Sequence, residues 1–549
     1  MIKIPLKFSE SSILFQKSTL IAVTLLIYAN SLLNGFVWDD YYIIVNNPII
    51  RELANIPKVL FSADTVFLDD TAYYYRPLSR LSYLIDYALF GLQPAGFHLV
   101  NVLIHLLNVL LLFALGQRLF TEQIASFAAA LLLAVHPLMT ESVNFISGRN
   151  NALATTFVLC TVLLFIRGVE SQRRSYYVLV GITFFCGLMV KEIGFMILPF
   201  LVLWPTYAAN GKPMDTSLKQ RVAALIPCFV ACVVYLALRK IALPQVLGGA
   251  SDEMDLWQRV AQNFYSVPLY LALVVFPAQL RNHYSIPADY MSQWVVITFA
   301  WLLIILVIIV VLRRGSKPLI FGLLWFVLNY IPISHIIPFA SAPIAERYIY
   351  LPSIGIWLMA GYGVSRLWRY ERYRPIMVSG LTLLIVILAL KTWSRNKEWH
   401  DDISLFNALV RIDPSSVYGH YNLGCAYADK KEYGSAKVHF LRTIEMEPLH
   451  SRALNQLGNI DFLQGRILDA EHYYSKALKY GKYNAEAYYN LAMIMAQTGR
   501  PVDAIRNYEL FLARVPPEYQ EMIPEVKNQI KILQQQLITK PRSADTDKL

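Results

Sequence analysis

Long apolar runs, separated by short polar segments, fill roughly the first four hundred residues of the chain. Runs of this kind are typical of helices that cross a membrane. A further run, 262–277, is shorter and contains prolines, so it is either another span or a helix in the membrane interface. The pattern predicts an all-α, polytopic membrane helical bundle over residues 1–398 with about eleven spans. The eleven runs lie near 19–33, 99–116, 124–139, 151–166, 176–190, 193–209, 221–238, 294–312, 319–337, 348–365 and 375–392.

The remaining residues repeat with a period of 34 residues, in the segments 415–448, 449–482 and 483–516. Small and large residues recur at fixed offsets, as tetratricopeptide repeats require where two helices cross closely. The tail, 399–516, is therefore predicted to be a soluble tetratricopeptide α-solenoid that starts with a half-repeat at 402–414. A capping helix is predicted at 517–537 and a disordered tail at 538–549. The recurring positions are Leu423, Leu457 and Leu491; Gly424, Gly458 and Ala492; Ala436, Ala470 and Ala504; and Phe440, Tyr474 and Tyr508.

Composition agrees with the membrane interpretation. Of 549 residues, 56% are hydrophobic and only 16% are charged, with a mean hydropathy of +0.42. Soluble proteins carry about 25% charged residues, so an ordinary soluble enzyme, a disordered chain and a fibrous protein are excluded. Residues 1–398 carry 31 Lys and Arg against 20 Asp and Glu, whereas residues 399–549 carry 18 of each class. The basic excess thus lies among the apolar runs, where it sets topology, and nucleic acid is not an expected partner.

The positions of the basic residues predict the topology. With the N-terminus in the cytoplasm and 262–277 not crossing, the cytoplasmic segments hold 17 Lys and Arg, whereas the short outer loops hold only Arg149, Lys191 and Arg347. We interpret the basic N-terminal run as an uncleaved first span, because no small-residue cleavage site follows it. Two long outer loops, 35–98 and 239–293, and the repeats then lie outside the cytoplasm.

Two adjacent carboxylates, Asp39 and Asp40, follow directly after the first span. They are either the solvated start of an acidic loop or a functional pair. In a functional pair, one carboxylate would accept a proton or hold a cation while its neighbour is fixed by hydrogen bonds. An ionised carboxylate near the low-dielectric membrane boundary is also expected to have a raised pKa.

Other polar residues interrupt the apolar pattern on the same predicted side. Local neutralisation between neighbouring acids and bases explains each of them singly, but explains their common sidedness less well. Their cations are predicted to bind an anionic headgroup, such as a lipid-linked phosphate. His98 and His105 share a helix face, so they are either metal ligands or ordinary interfacial histidines. The residues concerned are the cations Arg76, Arg149, Lys191 and Arg347, with His98, His136, Glu141, Glu192 and Glu346 in supporting positions.

The order of these motifs resembles the transmembrane and tetratricopeptide-repeat O-mannosyltransferase family, whose members belong to the GT-C glycosyltransferases. The resemblance covers essentially the whole chain and depends on the succession of motifs, since no single one is diagnostic. The motifs are Phe36-Val37-Trp38-Asp39-Asp40, Tyr75-Arg76-Pro77-Leu78, Phe97-His98-Leu99-Val100-Asn101, His136-Pro137 with Thr140-Glu141-Ser142-Val143 and Gly148-Arg149, Lys191-Glu192, and Ala345-Glu346-Arg347-Tyr348.

The resemblance implies an activity. A sugar, mannose or another hexose, would pass with inversion from a polyprenyl-phosphate donor to Ser or Thr hydroxyls of extracytoplasmic proteins. Asp39 or Asp40 would be the general base, and Arg76, Arg149, Lys191 and Arg347 would stabilise the leaving phosphate. The repeats would present the acceptor polypeptide, membrane lipid would surround the bundle, and no cofactor is certain, with a divalent cation left open.

Two alternatives stay open at this level. One is a ligase or polymerase of lipid-linked oligosaccharides, and the other is a non-catalytic, membrane-anchored repeat scaffold. The absence of any Asn-x-Ser/Thr sequon favours a bacterial inner membrane with a periplasmic site over an ER membrane with a lumenal site. The sequence leaves open the sugar, the acceptor, the host kingdom, the oligomeric state and the identity of the base.

Overall fold

The computed structural model describes residues 10–62, 74–203, 218–243, 256–285, 294–334, 336, 344–480, 484–515 and 517–539. Parts of both predicted long outer loops and the predicted tail from residue 540 lie outside these ranges. The chain divides into two compact units, Met1–Leu405 and Phe406–Leu549. The regular structure of the described residues consists of α-helices and shorter helical turns. This confirms the predicted all-α class.

The first unit is a helical bundle with a large apolar cluster and a smaller, separate one that includes Ile44, Tyr83 and Phe97. The large cluster is formed mainly by α4, α5, α7, α8, α14 and α15. Most of these helices pack against neighbours in sequence, and α5 also packs against α15, which is distant in sequence. The bounds are α1 Glu10–Ile27, α2 Ile56–Phe61, α3 Pro77–Phe90, α4 Pro94–Leu119, α5 Gln123–Val135, α6 Thr140–Asn144, α7 Arg149–Ser171, α8 Arg174–Val190, α9 Ile197–Leu203, α10 Leu218–Ala224, α11 Ile226–Ala242, α12 Leu256–Val275, α13 Trp294–Arg314, α14 Lys317–Tyr330, α15 Tyr350–Trp368 and α16 Arg374–Asn396.

Every predicted apolar run contains a helix, but the helices differ in length. Among the described residues, five are long and apolar enough to cross a membrane alone: Ser11–Leu33, Pro94–Leu119, Ile146–Ser171, Trp294–Arg314 and Glu371–Trp399. The pair Gln123–Val135 and Pro137–Asn144, bent by 55°, is either a broken sixth span or a re-entrant loop. Three further apolar helices are shorter, Arg174–Val190, Glu192–Val202 and Lys317–Ile333. The structure thus supports a multi-pass membrane protein, while the count of eleven spans stays a prediction.

The run at 262–277 lies in α12, which is not among these candidate spans. Ser266 on α12 hydrogen-bonds Tyr330 at the end of α14, with 2.9 Å between the hydroxyl oxygens. Four residues later, the Tyr270 hydroxyl donates to the carbonyl of Ala345, just before α15. Ser266 and Tyr270 are one turn apart in the middle of α12, so these bonds attach that part of the helix to the bundle. That 262–277 does not cross the membrane stays a prediction.

The boundary between the units lies seven residues after the predicted one at 398. The amide of Gly35 donates to the carbonyl of His400 over 2.9 Å, and the amide of Trp38 donates to Asp402 Oδ1 over 2.8 Å. These bonds join residues 399–405 to the loop after α1, so this segment belongs to the membrane unit.

The second unit consists of paired helices, as the 34-residue period predicts. Gly424 lies against the Phe440 ring and Gly458 against the Tyr474 ring, where a Cβ would be 2.7 Å and 2.6 Å from the nearest ring atom. The predicted small-residue crossings are thus confirmed. Helix α24 extends two residues past the predicted end of the cap at 537. Helix α17, Asp402–Ile412, crosses the boundary between the units. The helices that lie wholly in the second unit are α18 Val417–Asp429, α19 Tyr433–Met446, α20 Ser451–Leu463, α21 Ile467–Tyr480, α22 Ala485–Gln497, α23 Pro501–Leu512 and α24 Ile523–Thr539.

Candidate active site

Asp40 is held in a closed set of hydrogen bonds. It is fully buried and lies between the end of the first span and the start of α7. Its Oδ1 accepts from the amide of Ser147 at 2.8 Å and from the Ser147 hydroxyl, and its Oδ2 accepts from the amide of Val37 at 3.2 Å. Both oxygens are therefore committed to fixing the loop after α1 against the N-terminal end of α7.

Asp39 has different surroundings. Its side chain is half-buried, and within the described part of the chain its carboxylate accepts no hydrogen bond. Burial raises the pKa of Asp39 to about 6, although the nearby positive charge of Arg347 lowers it in part. Burial also raises the pKa of Asp40 to about 7, against the lowering effect of its bonds to Ser147 and Val37. Asp39 is thus the carboxylate of the pair that is free to accept a proton.

The backbone conformation of the residue before Asp39 is unusual. Trp38 has a φ of 54°, a left-handed conformation that a bulky residue seldom adopts. Its amide is held by Asp402, and its indole stacks on Phe145 at 5.0 Å between ring centroids. Phe145 in turn stacks on the buried Trp399 at 5.7 Å. These contacts keep the strained residue in place and fix the direction of the next side chain.

Arg347 faces Asp39 from the helical turn before α15. Its amide donates to Glu141 Oε2 at 2.7 Å, and its Nη1 forms an ion pair with Glu141 Oε1. The guanidinium carbon lies 5.6 Å from the Trp38 ring centroid and 5.2 Å from that of Tyr348. Glu141 reaches this position because the bend after His136 turns α6 away from the axis of α5.

Lys191 and Arg76 bring two more positive charges to the same region. Lys191 Nζ donates to Asn151 Oδ1 at 2.5 Å and lies 4.9 Å above the Tyr348 ring. Burial lowers the pKa of Lys191 well below its usual value, and the charges of Arg76 and Arg347 lower it further. Arg76 is 3.7 Å from Glu192. We call Arg76, Lys191 and Arg347 the cationic cluster; it carries three bases close enough to influence one another.

Glu192 forms ion pairs with two arginines, Arg76 and Arg239 of α11. The Arg239 Nη1 to Glu192 Oε1 distance is 3.0 Å, shorter than the distance to Arg76. The two ion pairs join α11 to the turn between α8 and α9. Glu192 thus forms ion pairs with both Arg76 and Arg239 and supports the cationic cluster.

Arg149 is not part of the cationic cluster. It is fully buried and forms an ion pair with Asp86 at 2.5 Å, and it also donates to Asn101, Ser82 and the carbonyl of Phe97. These partners occupy the guanidinium, so a phosphate would have to displace a buried carboxylate. The predicted phosphate-binding role of Arg149 is therefore not supported, and the residue instead joins α3, α4 and α7.

The histidines have backbone or hydroxyl partners. His98 Nε2 is 3.2 Å from the carbonyl of Gly35, and His105 Nδ1 is 2.6 Å from the Tyr350 hydroxyl. His136 Nδ1 accepts from the amide of Leu138, while its Nε2 bonds the carbonyl of Val274 at 3.0 Å. His136 thus caps the turn at the bend. No group of three or more His, Cys, Asp or Glu arranged to hold a metal occurs among the described residues.

Glu346 has a partner that the sequence reasoning missed. Its Oε2 accepts from Arg395 Nη2 at 2.9 Å, and its Oε1 accepts from the Tyr284 hydroxyl at 2.7 Å. Arg395 is near the end of the last membrane helix and also donates to Thr140 and to the carbonyl of Leu280. The signal was present, since Arg395 and Asn396 are polar residues at a span end like those singled out above.

A buried amide network lies beside this pair. Asn144 Nδ2 donates to Asn396 Oδ1 at 2.8 Å, and Asn34 donates to the carbonyl of Asn396 at 2.9 Å. Asn396 Nδ2 donates to the carbonyl of Ile27. The network therefore joins the end of α1 and the turn after it to α6 and α16.

Comparison with known proteins agrees with this arrangement. Residues 82–238 match the family described as dolichyl-phosphate-mannose-protein mannosyltransferase. Residues 417–448 and 455–518 match tetratricopeptide repeats. The matched membrane segment contains Arg149 and Lys191, whereas Asp39 and Arg347 lie outside it.

Relatives match over most of the chain. A protein O-mannosyl-transferase of Caenorhabditis elegans is 26% identical over 449 residues, covering 79% of this chain and 63% of that protein. Protein O-mannosyl-transferase TMTC1 of Homo sapiens is 25% identical over 492 residues, with coverage of 79% and 55%. The crystal structure of ArnT from Cupriavidus metallidurans aligns with a TM-score of 0.43 at 15% identity, over 80% of each chain. The chain spans less than two thirds of the length of these mannosyl-transferase relatives.

The two family matches and the relatives together identify the organisation of the molecule. A mannosyltransferase-family membrane region precedes tetratricopeptide repeats, in the order in which the sequence motifs occur. The chain is thus a homologue of the transmembrane and tetratricopeptide-repeat protein O-mannosyl-transferases.

Proposed function

We propose that this protein is an integral-membrane, inverting glycosyltransferase. It moves mannose or another hexose from a polyprenyl phosphate to Ser or Thr hydroxyls of extracytoplasmic proteins. The observation that carries the proposal is the contrast within the acidic pair: Asp40 is saturated with hydrogen bonds, while the half-buried Asp39 faces Arg347 with its pKa raised to about 6.

Asp39 is the general base in this mechanism. Its carboxylate takes the proton of the acceptor hydroxyl as the hydroxyl oxygen attacks the anomeric carbon, and the bond from that carbon to the phosphate oxygen breaks. A pKa of about 6 suits this role near neutral pH, because the carboxylate is ionised yet basic enough to accept a proton. Asp40 is a positioning residue, since it acts only through Ser147 and Val37.

The cationic cluster stabilises the leaving phosphate. Glu141 engages the amide and Nη1 of Arg347, and the Nε and Nη2 of Arg347 would then bind the phosphate oxygens. The buried Lys191 has a lowered pKa, and an incoming phosphate reverses this because a neighbouring anion favours the ammonium form. Negative charge developing on the phosphate would then meet fixed positive groups in a low-dielectric site.

The remaining parts of the proposal concern the partners and the compartment. The repeats would bind the acceptor polypeptide on their concave surface, as helical-repeat solenoids generally do. The basic residues of the predicted cytoplasmic loops support a site on the opposite, extracytoplasmic face. A bacterial inner membrane with a periplasmic site is the preferred location, and an ER membrane with a lumenal site is the alternative.

Sugar transfer by the purified full-length protein tests the proposal. Polyprenyl-phosphate sugars and extracytoplasmic peptides would be supplied, and added hexose would be measured by mass spectrometry. Asp39→Asn should lower transfer by about 10²- to 10⁴-fold, the usual contribution of a general base, without changing the melting temperature in detergent. Asp40→Asn is the matched change at the adjacent carboxylate and should also lower the melting temperature, because it disrupts the bonds to Ser147 and Val37.

The cationic cluster has its own test. Lys191→Gln should raise KM for the lipid-linked donor by roughly 10- to 100-fold, the range for losing a hydrogen bond to a charged group. Lys397→Gln removes an exposed charge at the end of α16 and should leave KM unchanged. Unchanged transfer in Asp39→Asn would refute the mechanism, and no transfer with any donor or acceptor would favour the non-catalytic scaffold.

A further inference from the structure

A cavity with a mainly apolar lining lies near the end of α7, away from the acidic pair. It has a volume of about 520 Å³ and is lined by the end of α7 and the start of α8, together with α10 and the start of α11. Its polar lining consists of Gln172, Arg174, Tyr177 and Arg221, and its walls are apolar. Nothing in the proposed transfer reaction uses these residues.

The cavity lies at the opposite membrane surface from the candidate active site. Helix α7 begins at Arg149, two residues after Ser147, which bonds Asp40, and it ends at Ser171 beside the cavity. A helix of its 23 residues is about 34 Å long, which is close to the roughly 30 Å thickness of the hydrocarbon core. The charge pattern predicts this surface to be the cytoplasmic one.

The rim of the cavity is positively charged. Arg174 is exposed at the start of α8 and forms no ion pair within the described ranges, and Arg221 donates Nη1 to the carbonyl of Val202 at 2.9 Å. The nearest acid on α7, Glu170, is occupied by Arg118 at 2.6 Å. Among the described residues that line the cavity there are two arginines and no acid, so these side chains carry a net positive charge.

An exposed apolar face continues from the cavity along α8 and α11. The helices pack closely, since a Cβ on Gly181 would lie 2.6 Å from Pro227 Cβ. Their outward side chains include Ile182 on α8 and Val233 on α11, which are 52% and 67% exposed. A cationic cavity directly beside a lipid-facing apolar groove matches an amphipathic anion better than a soluble one.

We propose that this cavity binds the anionic headgroup of a membrane phospholipid, with its acyl chains along α8 and α11. Arg174 and Arg221 pair with the phosphate, and Tyr177 and Gln172 supply neutral polar atoms at the rim. Basic pockets between membrane helices on the cytoplasmic side commonly hold anionic lipid headgroups, where each basic residue contributes about 1 kcal/mol. The site is independent of the proposed transfer chemistry.

Lipid retention by the full-length protein tests the proposal. The chain would be purified in detergent, depleted of lipid and incubated with phosphatidylglycerol, phosphatidylcholine or inorganic phosphate, and bound lipid would be counted by native mass spectrometry. The wild type should retain phosphatidylglycerol at least about fivefold better than phosphatidylcholine. Arg174→Gln and Arg221→Gln should each lower that retention about fivefold, as expected for the loss of about 1 kcal/mol.

Arg314→Gln is the matched control, because it removes an exposed charge from the end of α13 on the same predicted side. It should leave retention unchanged, and the melting temperature without lipid should be the same in all variants. Equal retention of both phospholipids by the wild type overturns the proposal even if a variant fails to fold. Equal loss in Arg314→Gln, or full competition by millimolar inorganic phosphate, also overturns it.

Discussion

The two neighbouring aspartates illustrate how much a single side chain depends on its surroundings. Asp40 binds two backbone amides and a hydroxyl, whereas Asp39 is left facing Arg347. The two residues are adjacent and chemically identical, yet among the described residues only the Asp40 carboxylate accepts hydrogen bonds.

The pH dependence of transfer follows from Asp39. Because only its ionised form accepts a proton, kcat/KM should rise as pH increases through about 6, the pKa to which burial raises this group. The measurement is kcat/KM for sugar transfer from pH 5 to pH 8. The residual transfer by Asp39→Asn should not show this rise in kcat/KM. A wild-type kcat/KM that stays constant between pH 5 and pH 7 would contradict the assignment of Asp39 as the general base.

Glu346 provides a prediction about stability at the residue scale. Glu346→Gln leaves the buried Arg395 without its 2.9 Å partner, so it should lower the free energy of unfolding by about 3 kcal/mol, the lower end for breaking a buried ion pair. The remaining contact of Arg395 with Glu398, at 3.4 Å, keeps the loss at that end. Thermal unfolding in detergent measures it.

The control for this change is Glu371→Gln. Glu371 also pairs with an arginine, Arg374, but its side chain is 83% exposed, and exposed pairs contribute about 1 kcal/mol or less. It should therefore shift the unfolding free energy very little. If both variants changed the free energy of unfolding equally, the buried Glu346–Arg395 pair would contribute no more to stability than an exposed pair.

At the scale of elements, two features determine which side chains meet: the bend between α5 and α6, and the close helix crossings of the repeats. The bend at His136 and Pro137 carries Glu141 to Arg347, and without it a straight helix would leave the arginine unpaired. The repeat crossings depend on glycine instead, because the facing ring occupies the space that a Cβ would need.

Gly458→Ala tests such a crossing. The added Cβ would lie 2.6 Å from the Tyr474 ring, so α20 and α21 must separate, and we expect a loss of about 1–3 kcal/mol. Gly434→Ala is the matched change, since nothing lies within 4 Å of its Cβ and alanine favours a helix by about 1 kcal/mol. Chemical unfolding of both variants measures the difference, and a destabilising Gly434→Ala with a neutral Gly458→Ala would be the opposite of what we expect.

At the scale of the whole molecule, the chain has two units with separate apolar cores. The core clusters of the repeats draw only on residues beyond 406, and solenoid repeats depend mainly on their immediate neighbours. A chain of residues 401–549, which keeps α17 intact, should therefore be helical and unfold cooperatively, as measured by circular dichroism.

The cap helix provides the comparison for that experiment. Val526 and Leu533 of α24 pack in the same cluster as Phe511, so ending the chain at residue 516 should expose this cluster and lower the melting temperature. If residues 401–549 fail to fold, or if removal of α24 has no effect, the repeats do not form an independent unit.

The sequence by itself determined the features that depend on local periodicity. Apolar runs located the membrane helices, the 34-residue period located the repeats and their small-residue crossings, and the basic residues indicated a topology. The polar interruptions also marked a set of charged residues on one predicted side, because charges at span ends are costly unless they are used. The set comprised Asp39, Asp40, Arg76, Arg149, Lys191 and Arg347.

Only the tertiary structure decided which polar groups meet. Glu141 and Arg347 are 206 residues apart, and the chain between them could bring several bases to that acid. Arg149 and Lys191 look equivalent in sequence, yet Asp86 neutralises the first while the second lies against Tyr348 with Arg347 nearby. Pairing across a bundle depends on packing between helices distant in sequence, and a pattern of neighbouring residues does not contain that information.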